Sequence, residues 1–169
     1  MSKWSFASEG FTPIGVLDAA NFTDSGYMGL TGPVGNTTQR RDIYEVMVAG
    51  MATASAPTPL VMGFDSVIQI TPTALTTAQS NSPLDTAVVA LAAPQIAFVA
   101  STTKPQRSAT LAKLVLGLNA FGGIIRWNAS PGSEMKAVGA ALNLGEISLS
   151  CYTGGTPGLV AAHILYEQY

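Results

Sequence analysis

Glu146-Ile147-Ser148-Leu149-Ser150-Cys151 alternates polar and apolar side chains without a break. Successive side chains of a strand point to opposite faces, so this stretch predicts a β-strand. Ile147, Leu149 and Cys151 line one face, Glu146, Ser148 and Ser150 the other. The same period returns at Leu159–Gln168, where Val160, Ala162, Ile164 and Tyr166 share a face. It returns again at Ile43–Ala49, with Tyr44, Val46 and Val48 opposed to Glu45, and at Ile124–Ala129, where Ile125 and Trp127 oppose Arg126 and Asn128. Gln95–Ser101 and Thr86–Ala92 are Val/Ala/Phe-rich runs separated by Ala93-Pro94, and Val67, Ile68 and Ile70 form a short run ended by Pro72.

Turn chemistry divides these runs. Asn119-Ala120-Phe121-Gly122-Gly123 and Thr153-Gly154-Gly155-Thr156-Pro157-Gly158 both predict hairpin connections. Many short strands at close spacing, with ten prolines as breakers, imply an all-β fold, an antiparallel sandwich of jelly-roll type or a barrel. Two segments compete with that reading. In Ser108–Leu118, Leu111, Leu114, Val115 and Leu118 also match the helical period, although the Gly-Gly turn that follows favours a strand. Ser133–Leu142 reads as a helix capped by Ser133. Thr71–Asp85 has no clear period and reads as a loop.

Residues 1–42 differ from the body at 43–169. Gly26, Gly29, Gly32, Gly35 and Pro33 interrupt them, while Trp4, Phe6, Phe11, Phe22 and Tyr27 are spaced along them as apolar anchors. That pattern predicts an extended N-terminal arm lying along a surface, the alternative being a few short strands and turns that belong to the core fold. An arm of that kind contributes little to the body, so deleting residues 2–15 is expected to leave the body folded.

Charge narrows the function classes. Only 11% of the 169 residues are charged, against about 25% in an ordinary soluble domain. The length suits one domain with a sizeable core, so a surface this poor in charge points to one covered by other protein. The net charge of −2 offers no basic footprint for nucleic acid, and Arg40-Arg41 is followed at once by Asp42 and Glu45. No apolar run reaches the length of a membrane span. The start lacks the apolar core of a signal peptide, which together with one cysteine suits synthesis in a reducing cytoplasm.

Catalytic chemistry has few candidates. The single histidine, His163, shares a strand face with Glu167, but no nucleophile motif accompanies it, and a surface or interface histidine is the simpler reading. Cys151 points into the apolar layer and reads as a buried structural thiol. The carboxylates Asp18, Asp24, Asp65 and Asp85 are scattered as turn formers are, without metal-ligand spacing. Gly29-Leu30-Thr31-Gly32-Pro33-Val34-Gly35 lacks the ending of a phosphate loop, and Pro33 removes a donor a phosphate would need. No catalytic residue, metal site or cofactor is expected. Arg126 and Trp127 belong to the residue types enriched at interface centres, while the plainer reading puts Trp127 in the core and Arg126 at its rim.

The glycine-rich arm, the strand-rich body and the scarcity of charge together resemble the small jelly-roll or sandwich cement (decoration) proteins of tailed bacteriophage capsids. That resemblance implies a virion protein on the capsid exterior. Its partners would be the major capsid protein and copies of itself as a trimer or dimer. Trp4, Phe6 and Phe11 would contact adjacent subunits, with Phe22, Tyr27, Arg126 and Trp127 as further interface candidates. Two other classes remain open. One is another structural virion subunit, a jelly-roll coat or tail-tube component. The other is a carbohydrate- or receptor-binding sandwich using Tyr27, Phe121, Trp127 or Tyr152 to stack on sugars.

Overall fold

The computed structural model describes residues 2–13, 25–31, 40–67, 72–73, 78–85, 87, 96–101, 106–108, 111–138, 146–151 and 156–169. The alternating runs become strands because each can present an apolar row to a shared core while its backbone groups pair sideways. In chain order these are β1 (Ser2–Phe11), β2 (Ser25–Thr31), β3 (Arg40–Gly50), β4 (Pro57–Val67), β5 (Pro72–Thr73), β6 (Ala78–Pro83), β7 (Ile96–Ser101), β8 (Gln106–Arg107), β9 (Lys113–Asn119), β10 (Ile124–Asn128), β11 (Met135–Val138), β12 (Glu146–Cys151) and β13 (Val160–Gln168).

They form two antiparallel sheets packed as a sandwich. The first runs β10-β3-β13-β1-β6, with β11 continuing the β10 edge along β3; the second runs β5-β7-β2-β12-β4-β8, with β9 on the same edge of β4 as β8. The pairing is nested. β1 pairs with β13, β2 with β12, β3 with β10 and β11, and β4 with β8 and β9. First-with-last pairing is thus wound across the two sheets of the sandwich. The segment between β4 and β8 adds β6 beside β1, and β7 and β5 beside β2.

The core lies between the sheets. Trp4 and Phe6 of β1, Val46 and Val48 of β3, and Ile164 and Tyr166 of β13 meet Met28, Leu30, Leu60, Met62, Ile147 and Leu149 from the second sheet. One end of this core is polar. Arg41 is fully buried, and loss of solvent lowers its pKa to about 10, partly opposed by the neighbouring Tyr166, whose own pKa burial raises. Arg41 therefore stays charged at neutral pH.

Several sequence expectations hold. Ile125 and Trp127 face inward, β13 buries the four residues named for it, Cys151 is buried, and 113–119 is a strand rather than a helix. Others do not. Among the described residues of 1–42, none forms an arm. β1 lies within the first sheet, hydrogen-bonded to β13 on one side and β6 on the other, and β2 lies inside the second. The reason is local: Lys3, Ser5, Ala7 and Glu9 alternate with Trp4, Phe6 and Ser8, so β1 has one apolar row to bury. Residues 135–138 of the expected helix form strand β11, because the unpaired edge of Arg40–Ile43 offers Met135–Val138 a ladder. Within the expected loop at 71–85, β6 pairs with β1. The turn at 119–123 is a corner rather than a hairpin, since β9 and β10 belong to different sheets; so do β12 and β13. Finally, Glu146, Ser148 and Ser150 are buried along with the apolar face of β12, and the Ser148 hydroxyl donates to Asp65 Oδ1 at 2.9 Å. Residues 86 and 88–92, and Ile68 and Ile70 beyond β4, lie outside the described residues.

Because β1 is paired on both sides and buries Trp4, Phe6 and Phe11, deleting residues 2–11 is expected to unfold the protein. Each such side chain contributes about 1.5–3 kcal/mol of burial. Circular dichroism and a thermal melt of the truncated chain check this; a cooperative melt near that of the full chain would contradict it.

Candidate interaction surface

The corner between the sheets is built from small residues. The Ala120 backbone crosses so close to Gly50 that a Cβ there would sit 2.3 Å from the Ala120 carbonyl oxygen. Gly158 is packed as tightly, since a Cβ would lie 2.5 Å from that of Ala120 and 2.8 Å from that of Ala56. Hydrogen bonds fix the crossing. Gly50 N–H donates to Gly123 O at 2.7 Å, Ala52 N–H to Ala120 O at 2.9 Å and Ala120 N–H to Ala56 O at 2.9 Å. The Asn119 side chain accepts from the N–H groups of Ala56 and Phe121 and donates to the Ser55 hydroxyl. Gly122 completes the turn with φ +73°, a conformation that side chains disfavour.

This rigid corner displays apolar side chains. Phe121 is 61% exposed, Ile124 at the start of β10 is 70% exposed, and Val115 on β9 is 71% exposed. Met51 and Leu159 are exposed nearby, joined by the Met51 N–H to Leu159 O bond at 2.9 Å. Three large apolar groups this open within ten residues are unusual on a surface that gains nothing by them.

From the corner, the outer face of the first sheet runs in cross-strand rows. Ile124, Ala49 and Ala161 are register partners, followed by the row Arg126, Met47, His163 and Ala7. The alanines leave a shallow depression of about 210 Å³ that Met47 and His163 also line. One step further along, Glu45 reaches back to both Arg126 and His163. Arg126 Nη2 donates to Glu45 Oε2 at 2.7 Å, and His163 Nε2 lies 3.2 Å from Glu45 Oε1. The hydrogen bond from Arg126, aided by His163, holds the Glu45 carboxyl below the usual carboxylate range. The far end of the face is polar. Lys3 Nζ is 3.7 Å from Glu167 and over the Tyr44 ring, and Arg40 pairs with Asp42 and stacks on Tyr169.

The sequence-derived candidates fall apart on this map. Trp4, Phe6 and Phe11 are core residues, and their aromatic area is spent inside the fold. Trp127 packs against the core while Arg126 points outward to Glu45. Phe22 lies outside the described residues, as does the side chain of Tyr27, whose backbone belongs to β2. His163 and Glu167 share a face but not a contact. The carboxylate beside His163 is Glu45, from the neighbouring strand, a relation no local spacing reveals. Among the described residues, no group of three or more His, Cys, Asp or Glu side chains comes together as a metal site. Ile124 and Val115 were read only as strand positions, because exposure of one face depends on which strands end up at an edge.

Comparison with protein-family models, curated proteins and solved structures found no match.

Two outcomes are expected of this surface. Gly50→Ala forces a Cβ into backbone and should cost about 1–3 kcal/mol, read as a lowered denaturation midpoint. Glu45→Gln should lower the melting temperature slightly at pH 7, an exposed ion pair being worth little. Glu45 has a depressed pKa in the folded state, so its contribution is present above the ordinary carboxylate range and lost as pH falls through the folded value. The difference between wild type and Glu45→Gln should therefore shrink below pH 4; a gap that widens in acid would contradict the assignment.

Proposed function

We propose that this chain is a structural subunit that works by assembly, a cement (decoration) protein on the exterior of a tailed-bacteriophage capsid that bridges and stabilises the major capsid subunits. The observation that carries the assembly reading is the corner of exposed Val115, Phe121 and Ile124, held rigid by backbone hydrogen bonds, in a chain with 11% charged residues. Interface centres are depleted of charge and enriched in apolar and aromatic side chains. Preorganisation of the corner lowers the ordering cost of docking. The nested two-sheet winding and the compositional resemblance support the capsid setting. In an array, many copies add up through multivalency, so each contact can be weak.

A sugar-binding sandwich is less well supported. Of the aromatics considered for stacking, Trp127 faces the core, which leaves Phe121 as the exposed ring among the described residues.

The test is the copy number of the chain in purified particles, by quantitative mass spectrometry against the major coat protein. A fixed ratio amounting to hundreds of copies is expected. A handful, or none, would overturn the cement role. The double variant Phe121→Ser/Ile124→Ser should keep the wild-type melting temperature and lose binding to particles stripped of the protein.

A further inference from the structure

The two edges on the β9/β10 side of the sandwich differ in how they are protected. β10 carries Arg126 at its centre and β11 carries Lys136. β8 is two residues long and includes Arg107, and β5 is two residues long and begins with Pro72. On the far side, β6 is polar and ends in Pro83. Charge, shortness and proline are the devices that keep edges from pairing with another chain. β9, Lys113-Leu114-Val115-Leu116-Gly117-Leu118-Asn119, uses none of them along its central five residues. Among the described residues it pairs with β4 alone.

We infer that the free edge of β9 is a self-association edge, taking β9 of a second copy of this chain in antiparallel pairing about a two-fold axis at Leu116.

The alternation of the ladder sets the geometry. Ala120 N–H donates to Ala56 O, and the register continues without a bulge as Leu118 opposite Thr58, Leu116 opposite Leu60 and Leu114 opposite Met62. These even positions address β4. Pro59, which has no N–H to give, stands opposite Gly117. Val115 and Gly117 thus present their N–H and C=O groups to the open side. In a two-fold pairing centred on Leu116, Val115 meets Gly117 of the second copy, and the two residues exchange both hydrogen bonds. Backbone parity is met by a two-fold on any residue of β9, so the choice of Leu116 as centre rests on the side chains.

The side chains fit that centre. On the outer face, the 71%-exposed Val115 would lie over Gly117 of the second copy. There is room for it, because a Cβ built on Gly117 meets no atom within 4 Å. On the inner face, Leu114 meets Leu118 and Leu116 meets Leu116. Leu114 and Leu118 are only partly buried in the single chain, though they pack against its core. Lys113 stands opposite Asn119, so no like charges meet. The same operation on β10 would oppose Arg126 to Arg126. An isologous contact of this kind joins the second sheets of two protomers into one continuous sheet.

The pairing is a property of the fold and stands or falls apart from the capsid role, since it is read on the purified chain alone. Sedimentation at about 100 µM, above the micromolar affinities typical of small interfaces, should show a dimer. Val115→Lys and Gly117→Pro should each weaken self-association at least about tenfold, the first by like-charge approach and the second by removing an outward N–H. Both positions face solvent in the single chain, so the circular dichroism spectrum should be unchanged. A mixture of Val115→Cys and Gly117→Cys chains should form an inter-chain disulfide on oxidation, which neither variant forms by itself, because paired Cα atoms lie about 5.5 Å apart in such a ladder. A wild-type monomer, variants that associate as tightly as wild type, or a mixture that fails to cross-link would overturn the inference. The cross-link does not depend on how either destabilising variant folds.

Discussion

The pairing of the chain's first strand with its last is the constraint on which the architecture rests. β13 lies between β1 and β3, so the centre of the first sheet is assembled from residues 2–11, 40–50 and 160–168. No local segment can form that centre. The second sheet repeats the logic one layer in, with β12 between β2 and β4. Nested, long-range pairing of this kind defers most burial until the chain ends meet, which makes folding slow and strongly cooperative. It also explains why a glycine- and serine-rich start becomes an indispensable strand: position in the winding, not composition, decides its value.

The corner at Ala120 follows from the same winding. A chain that passes from β9 in one sheet to β10 in the other must cross the open side of the sandwich at close quarters. It does so where Gly50, Gly158, Ala52 and Ala56 leave room for backbone to touch backbone. Close approach lets peptide groups satisfy one another directly, as in the bonds from Gly50, Ala52 and Ala120. Large side chains have no space inside such a crossing, so Phe121 and Ile124 are turned outward. The exposed apolar groups are thus partly a consequence of tight crossing, and their rigidity comes with it.

How much of this could be read in the residues depends on how local each signal is. β10 and β13 were readable because one face is apolar and the other meets water, which is the situation that produces clean alternation. β12 was readable as a strand but not in its environment, since Glu146, Ser148 and Ser150 alternate like solvent-facing residues and yet are buried. β1 carried the same signal in Trp4 and Phe6, two residues apart, but frequent small residues masked it. The helix expected after Ser133 failed because Met135–Val138 found an edge to pair with, Arg40–Ile43, far earlier in the chain. The Glu45–Arg126–His163 ladder was unreadable in principle. Its members come from three strands, and only the register of the folded sheet brings them within hydrogen-bond distance.

The scarcity of charge takes on a different meaning once its placement is known. Arg126, Lys136 and Arg107 fall on edge strands, and Lys3, Glu45, Asp42 and Glu167 are concentrated on the outer face of the first sheet. A few charges so placed can protect several edges from indiscriminate pairing, which is where a sandwich most needs protection. The interior of β9 lies outside that pattern. A chain that places its limited charge on neighbouring edges while leaving the five residues Leu114–Leu118 of an edge strand without charge or proline has not economised at random. The contrast between defended and undefended edges is itself a form of specificity, because it directs association to one place by making the alternatives costly.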